Sequence, residues 1–149
     1  MIRKAVDKDI SRIAEILVFV KRIKFLPIFK DEDYSFNTLQ VLKVAKDCGR
    51  PEVLNNMHVY DDGIVKGFIH IEGKEIKELY VDYFFQDQGV GSKLIEFAKK
   101  EFDVDFLWAI EKNTDALRFY ETHGFYLSDI KKPEEGTSEY LVMMKRNVK

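Results

Sequence analysis

The segment spanning residues 75–110 constrains the fold more than any other part of the chain. Strand-like residues from Glu75 to Val81 lead through a turn into a stretch, Val90–Phe102, whose apolar residues recur at helical spacing. A second strand-like run follows at residues 104–110. A strand, a helix and a strand in this order place the two strands parallel in one sheet. The segment therefore predicts an α/β domain.

The flanking segments predict a mixed, mostly antiparallel central sheet with helices on its faces. Short turns at residues 61–63 and 72–74 join three successive strands, which is typical of an antiparallel meander. The predicted order of elements is βααβββαβαββ. The strands are predicted at residues 2–5, 53–60, 64–71, 75–81, 104–110, 125–130 and 139–145.

Two helices are predicted between the first strand and the meander. Asp7 is the candidate N-cap of the first, whose apolar residues recur at helical spacing over residues 10–20. Residues 25–34 are aromatic and acidic and are predicted to form a loop. Ser35 is the candidate cap of the second helix, which is expected to end at Gly49.

Composition bounds the possible functions. The chain has 149 residues, the size of one domain, and its net charge of −2 offers no broad positive field for nucleic acid or anionic lipid. Cys48 is the only cysteine, so an internal disulfide is excluded. Charged residues interrupt the N-terminal segment, and its longest apolar run, residues 16–20, is far shorter than a membrane helix. We expect a cytoplasmic protein without a membrane partner.

The turn before the third helix has the composition of an anion-binding site. Two glycines, Gly89 and Gly91, stand where the helix begins, and the first turn of a helix presents unpaired N–H groups and a positive dipole end. Leu94 replaces the third glycine of a dinucleotide fingerprint, and the order Gly91-Ser92-Lys93 does not fit a P-loop. The pattern that fits is Gln-x-x-Gly-x-Gly over residues 86–91. A turn that simply needs small residues remains the alternative.

A second motif lies further along the chain. Residues 113–125 read Asn-x-x-Ala-x-x-Phe-Tyr-x-x-x-Gly-Phe. Together with the strand and turn of residues 79–92, this segment resembles the GCN5-related N-acetyltransferase (GNAT) family, whose element order also matches. The resemblance implies a single acetyltransferase domain over residues 1–149, which transfers an acetyl group from acetyl-CoA to a primary amine.

The resemblance also implies where coenzyme A binds. Backbone N–H groups in the turn would hold the pyrophosphate, and the main chain of Leu79 and Val81 would pair with the pantetheine arm between two splayed strands. The N–H near Val81 would also polarise the acetyl carbonyl. Asn113 fits both a helix cap and a pantetheine contact. The implied cofactor-binding residues are Leu79, Tyr80, Val81, Gln86, Asp87, Gln88, Gly89, Val90, Gly91, Ser92, Asn113, Phe119 and Tyr120.

Two proton transfers need catalytic groups. Tyr120 matches the residue that, in the family, protonates the departing thiolate, whereas Phe119 is also explained as a core residue. Glu75 matches a catalytic glutamate of some members and is the candidate base, with Glu78 or a water chain as the alternative. Strict alternation would place Glu75 with Leu79 on one face of the strand and Glu78 on the other. Lys77, at a position where other members carry a carboxylate, departs from the family pattern.

Other features leave alternatives open. Asp87 is a second departure, because a carboxylate beside phosphates weakens their binding unless it faces solvent. A non-catalytic acyl-CoA sensor or partner-binding module on the same fold is therefore the alternative function. The resemblance implies that the acceptor is selected largely by residues 20–49, where Phe25, Phe29, Tyr34 and Phe36 lie beside Asp31, Glu32 and Asp33. Such residues suit a cationic amine with an apolar body, and a solvated acidic loop is the alternative.

The remaining titratable residues carry no catalytic prediction. His58, His70 and His123 lack the spacing of metal ligands, so no metal site is predicted, and His123 is assigned a structural role at a helix end. Cys48 lies outside both motifs, which favours direct attack by the amine in a ternary complex. A homodimer is compatible with the sequence.

Overall fold

The computed structural model describes residues 1–29 and 40–148, which form a seven-stranded sheet with helices on both faces. The strands lie in the order β1-β2-β3-β4-β5-β7-β6, and all neighbouring pairs are antiparallel except β4 and β5. The strands are β1 (Ile2–Lys4), β2 (Met57–Asp61), β3 (Val65–Glu72), β4 (Glu75–Val81), β5 (Phe106–Ile110), β6 (Phe125–Pro133) and β7 (Tyr140–Arg146). This arrangement confirms the predicted mixed α/β fold.

Five α-helices are described. They are α1 (Ile10–Phe29), α2 (Val41–Cys48), α3 (Pro51–Leu54), α4 (Val90–Phe102) and α5 (Thr114–Thr122). Short 3₁₀ turns at Asp7–Asp9 and Tyr83–Phe85 precede α1 and α4. Apart from the extra short helix α3, the described elements follow the predicted order.

The sheet separates two hydrophobic cores. On one face, α1 packs Ile13, Ile16 and Leu17 against β2 and β3, in a cluster that includes Phe68. On the other face, α4 packs Leu94, among others, against the central strands. Each core draws on a helix with an apolar stripe and on alternate residues of the same strands, as a sheet buried on both sides requires.

Gly67 in β3 allows α4 to lie close to the sheet. A Cβ atom at this position would lie 2.9 Å from the carbonyl oxygen of Tyr80 and 3.1–3.2 Å from side-chain carbons of Val90 and Leu94. Real Cβ atoms do not approach that closely, so the helix and the strands could not keep their present spacing around a larger residue.

The predicted alternation along β4 is wrong because the strand contains a β-bulge. His70 pairs with Glu78 and Ile71 pairs with Ile76, which leaves Lys77 as the extra residue. Paired residues share a face of the sheet. The bulge therefore brings Glu75 to the same face as Glu78, whereas strict alternation would have separated them.

Two boundaries near the first helices also differ from prediction. Residues 25–29, predicted as loop, continue α1, and Pro27 lies in its last turn, where its missing N–H removes a single backbone bond. Residues 53–56, predicted as the start of a strand, do not belong to β2. Pro51 instead occupies the first turn of α3, where proline is favoured, and the N–H of Leu54 donates to the carbonyl of Arg50.

The predicted cap of α1 is also corrected. Asp7 begins a 3₁₀ turn, and it is Asp9, two residues later, that accepts the N–H of Val6 at 2.9 Å. Asp9 also accepts hydrogen bonds of 2.8 and 2.9 Å from the guanidinium of Arg3 in β1. Ser35, the candidate cap of the second helix, lies outside the described residues.

Candidate active site

A cleft of about 840 Å³ opens between β4 and β5. Within the described chain, these two strands pair at Glu75–Phe106 and Ile76–Leu107 and at no later position. The strands therefore separate towards their carboxyl ends, and the cleft lies between them. Of the residues predicted to bind cofactor or act in catalysis, those lining it are Glu75, Leu79, Tyr80, Val81, Gln86, Asp87, Gly89, Val90, Gly91, Ser92, Asn113, Phe119 and Tyr120.

The main chain of Leu79 and Val81 faces this cleft. The N–H of Asp82 donates to the carbonyl of Lys66 in β3, so residues 82 and 80 direct their backbone groups to β3. Because these directions alternate along an antiparallel pair, Leu79 and Val81 direct theirs to the β5 side. Gln86 donates its side-chain N–H to the carbonyl of Val81 at 3.3 Å and links the strand to the turn.

The turn between β4 and α4 is anchored by Asp82. This buried carboxylate accepts the N–H of Phe84 at 2.9 Å and a short hydrogen bond from Arg12 in α1. Arg12 in turn donates to the carbonyl of Val65 at 3.0 Å. Neither side chain was predicted from the sequence. An aspartate directly after a strand, two residues before the N–H that it accepts, is the capping signal that could have revealed Asp82.

Left-handed backbone shapes the anion-binding part of the turn. Gly89 has φ +83° and serves as the N-cap of α4, and Asp87 has φ +63°, a conformation that aspartate tolerates better than most residues. Asp87 is exposed, so its carboxylate can face solvent. Gln88, also exposed, is the one predicted cofactor-binding residue that does not line the cleft.

Gly91 lets two elements meet under the start of α4. A Cβ atom there would lie 3.3 Å from Phe119 in α5 and 3.5 Å from Val81 in β4. The ring of Phe119 thus supports the first turn of α4 from below. Asn113 caps α5, since its side-chain oxygen accepts the N–H of Ala116 at 3.3 Å, as predicted. A pantetheine contact by Asn113 stays a prediction.

Tyr120 lies on α5 beside the cleft. Its ring packs edge-on against Phe119 and Phe125, with centroids 5.3 and 6.0 Å away. Burial raises the pKa of the Tyr120 phenol well above its usual value. The hydroxyl therefore stays protonated at neutral pH, which is the state that a general acid requires.

Two carboxylates lie at the closed end of the cleft. The carboxylate of Glu75 is 3.4 Å from Nζ of Lys77, the bulge residue. The carboxylate of Glu78 lies 3.9 Å from Nδ1 of His70 and 3.9 Å from Nζ of Lys21 in α1. His70 is buried, and its other ring nitrogen has no hydrogen-bond partner among the described residues. Both carboxylates belong to residues that line the cleft.

Residues 54–127, which span β2 to the start of β6, match the family model of the acetyltransferase (GNAT) domain. The segment contains β4, the turn, α4 and α5. The chain belongs to the GNAT family of acetyltransferases.

Solved structures share this GNAT fold along the whole chain. The apo form of YjaB from Escherichia coli superposes with a TM-score of 0.77 at 18% identity, covering 100% of this chain and 98% of that one. The PaiA N-acetyltransferase of Thermoplasma acidophilum, solved with coenzyme A, has a TM-score of 0.70 at 19% identity and covers 97% and 98%. YncA from Salmonella typhimurium, solved with acetyl-CoA, has a TM-score of 0.63 at 18% identity and covers 100% and 94%. The comparison with curated proteins gave no significant match.

The lining of the cleft also includes residues that the sequence predicted only broadly or not at all. Lys21, Lys24 and Phe25 of α1 line the cleft and fall within the predicted acceptor segment, residues 20–49. Trp108 of β5 also lines it, with Nζ of Lys132 lying 4.2 Å from its ring centroid, and neither was predicted. The other aromatic and acidic residues predicted there, 31–34 and Phe36, lie outside the described residues, as does the side chain of Phe29.

Metal binding and membrane spanning each require features that can be recognised in the described residues. Among residues 1–29 and 40–148, no three His, Cys, Asp or Glu side chains are grouped to hold a metal ion. No described helix combines the length and apolar character needed to cross a membrane.

Proposed function

We propose that this protein transfers the acetyl group of acetyl-CoA to a primary amine, on a small molecule or a protein. The observation that carries the proposal is the separation of β4 from β5 after two paired positions, with the N-terminus of α4 at the open end of the cleft. An extended chain with an anionic end fits such a cleft, because a strand edge binds the chain and a helix start binds the anion.

The residues present fit coenzyme A. The backbone groups of Leu79 and Val81 that face the cleft would pair with an amide-containing arm, as in strand addition. The first N–H groups of α4, following Gly89, would hold the diphosphate, and the absence of a side chain at Gly91 lets Phe119 and Val81 pack beneath that turn. Bound in this way, the thioester supplies an activated acetyl group and a thiolate leaving group.

The chain's own residues would move two protons. Glu75, with Glu78 or a water chain as the alternative, would take the proton of the attacking ammonium group, since a protonated amine is not a nucleophile. Tyr120 would donate its phenolic proton to the departing sulfur. A backbone N–H near Val81 would stabilise the negative charge that develops on the acetyl oxygen.

Direct transfer in a ternary complex fits the position of the cysteine. Cys48 is buried at the end of α2, it does not line the cleft, and burial raises the pKa of its thiol to about 11. A thiol in that state is a poor nucleophile at neutral pH. A lone reduced cysteine also agrees with the proposed cytoplasmic location.

A non-catalytic acyl-CoA sensor is the second candidate. The ion pair between Lys77 and Glu75 favours it, because a neighbouring cation stabilises the ionised carboxylate and weakens it as a base. The enzyme and the sensor share cofactor binding and differ only in turnover.

The test combines binding with turnover. Isothermal titration with acetyl-CoA should show saturable binding, and a panel of amines and peptides should release free thiol with at least one acceptor. Binding without thiol release across the panel would favour the sensor. The absence of binding by a folded sample would contradict both candidates.

Two glycines provide a matched pair of variants for the binding step. Gly89 and Gly73 both have positive φ, at +83° and +60°, and both would place a Cβ atom in open space. Gly89→Val and Gly73→Val should therefore impose similar backbone strain. Only Gly89→Val should abolish acetyl-CoA binding, because Gly89 lies in the turn between β4 and α4, whereas Gly73 lies between β3 and β4. Equal loss in both variants would argue against an anion site there.

A further inference from the structure

A hydrogen-bonded chain of three side chains ends at the mouth of the anion site. The carboxylate of Glu96 lies 2.8 Å from Nδ1 of His123, and Nε2 of the same ring lies 3.1 Å from Oγ of Ser92. Ser92 stands in the first turn of α4 and lines the cleft. His123 ends α5, and its side chain is only 13% exposed.

The hydrogen-bond partners of His123 determine which atoms in this chain carry protons. A carboxylate only accepts, so Nδ1 of His123 carries a proton that it donates to Glu96. In a neutral ring, Nε2 is then an acceptor, and the hydroxyl of Ser92 donates to it. The lone pairs of Ser92 are left to face the cleft, where they would repel a phosphate oxygen.

A charged ring reverses the direction of the last hydrogen bond. With a proton on Nε2, His123 donates to Oγ of Ser92, and the Ser92 hydroxyl is free to donate into the cleft. The positive charge of the ring also lies one hydrogen bond away from the anion. Phosphate binding and protonation of His123 therefore favour each other.

We propose that Ser92, His123 and Glu96 form a proton-linked contact to the diphosphate of coenzyme A, in which His123 takes up one proton from solvent as the diphosphate binds. The proposal rests on the proposed cofactor site and adds to it a positioning residue, His123, that acts through Ser92. Affinity should be highest at mildly acidic pH and fall as the pH rises through neutrality.

The surroundings of the ring are suited to this change of charge. Glu96 contacts the ring, and Lys99 lies behind that carboxylate, with its Nζ 3.0 Å from it. On the α5 side the ring meets Phe119, with centroids 4.8 Å apart. Partial burial would raise the pKa of Glu96, but hydrogen bonds from His123 and Lys99 outweigh it and lower the pKa. An ionised Glu96 is therefore present to stabilise the imidazolium.

Proton uptake can be measured directly. The probe is 3′-dephospho-coenzyme A, which lacks the phosphate monoester that would itself titrate near neutrality. Isothermal titration at about pH 7.5 in two buffers of different ionisation enthalpy gives the number of protons bound per ligand. We expect net uptake with this probe and none with pantetheine, which has no phosphate. Equal heats in the two buffers would overturn the proposal.

Variants assign the proton to the chain. In the parent, the affinity for 3′-dephospho-coenzyme A should fall about tenfold, or ~1.4 kcal/mol, from about pH 6 to about pH 8. His123→Gln should bind without proton uptake and with little pH dependence. Ser92→Ala should lose the uptake as well, whereas Ser92→Thr, which keeps the hydroxyl, should retain it. Uptake that persists in a folded His123→Gln protein would overturn the assignment.

The outcomes separate this proposal from the function it rests on. If the parent protein binds no coenzyme A derivative at any pH, the cofactor site itself is wrong. If it binds 3′-dephospho-coenzyme A with the same affinity across the pH range, the cofactor site stands and only the proton linkage is wrong.

Discussion

The two edges of β4 behave in opposite ways. Along the edge that faces β3, register partners run from Glu72–Glu75 to Gly67–Val81. Along the edge that faces β5, pairing stops after Ile76–Leu107. The strand therefore keeps register partners in β3 as far as Val81, whereas beyond Ile76 its other edge has no strand partner among the described residues.

The difference does not arise from an irregular β5. That strand keeps five register partners in β7, from Phe106–Lys145 to Ile110–Leu141. β5 therefore moves away from β4 together with β7 and β6, and the sheet opens between two well-formed parts. An unpaired strand edge would be costly if it were buried without a partner. In an open cleft, those backbone groups can bind water or an extended ligand.

The largest expected effect concerns Tyr120, which lines the cleft beside the open edge of β4. Tyr120→Phe removes one hydroxyl and keeps the ring packing, so kcat should fall about 10²-fold, or ~2.7 kcal/mol of barrier, with little change in acetyl-CoA affinity. Because burial raises the pKa of Tyr120, the parent's rate should not decline from phenol ionisation between neutral pH and about pH 10. Steady-state kinetics across pH measure both effects.

An exposed tyrosine gives the control for that variant. Tyr126 in β6 is 46% exposed and does not line the cleft, so Tyr126→Phe should turn over like the parent. A Tyr120→Phe protein that melts normally and works within about threefold of the parent would remove Tyr120 from the mechanism, since a general acid contributes far more than that.

The next effect tests the closed edge. Gly67→Ala forces a methyl group against the backbone of Tyr80 and against α4, and overpacking of this kind should lower the free energy of unfolding by about 2 kcal/mol. Gly49→Ala is the control, because its Cβ atom would make ordinary contacts of 3.4 Å or more. Urea denaturation measures both. Equal stability of the two variants would show that β3, β4 and α4 can separate without cost.

A third prediction concerns charge at the first strand, beyond the closed edge. The hydrogen bond from Arg3 holds the pKa of the buried Asp9 below its usual range. A carboxyl group whose pKa is lower in the folded protein than in the unfolded chain stabilises the fold at pH values above its unfolded pKa, about 3.9 for aspartate. This stabilisation is lost as the pH falls through the folded-state pKa. Asp9→Asn should therefore cost about 1.5 kcal/mol at neutral pH, and less in acid.

Thermal or urea unfolding at several pH values checks this prediction. The parent and the Asp9→Asn variant should converge in stability as the pH falls from about 4 through the depressed folded-state pKa, because Asp9 takes up a proton in the unfolded parent before it does so in the folded parent. A constant difference between the two proteins at all pH values would mean that Asp9 acts through its shape and not through its charge.

The smallest expected effect lies away from both edges. Cys48→Ala should leave acetyl transfer unchanged, because the thiol is buried at the end of α2 and does not line the cleft. Mass spectrometry of the parent after incubation with acetyl-CoA should show no acetylated Cys48. Acetylation of that residue, or parallel initial-rate plots, would argue for a covalent intermediate instead of a ternary complex.

Local patterns in the chain were sufficient to predict the glycine turn before α4. Gly89 precedes a helical apolar repeat, and its left-handed backbone is a property that glycine supplies without help from the rest of the fold. The capping role of Asn113 is equally local, since its side chain bonds an N–H three residues on. Cleft-lining residues from both motifs were therefore named from the sequence.

Features that depend on distant partners were not predicted. The bulge at Lys77 depends on the register between β3 and β4, and no residue pattern within β4 predicts it. Pro27 indicated a loop, yet α1 continues through residue 29, and Phe25 in its last part is buried. In both places packing between elements overrides the local preference.

The sequence by itself determined the class of fold, the glycine turn and the residues of the two motifs, because each depends on periodicity or on contacts within a few residues. The tertiary structure alone decided that β5 leaves β4 after two pairs, that Glu75 and Glu78 share a face, and that His123 meets Ser92 and Glu96 across 31 and 27 residues of chain. These features depend on how separate helices and strands pack against one another, and that packing is set by the whole core and not by any one segment.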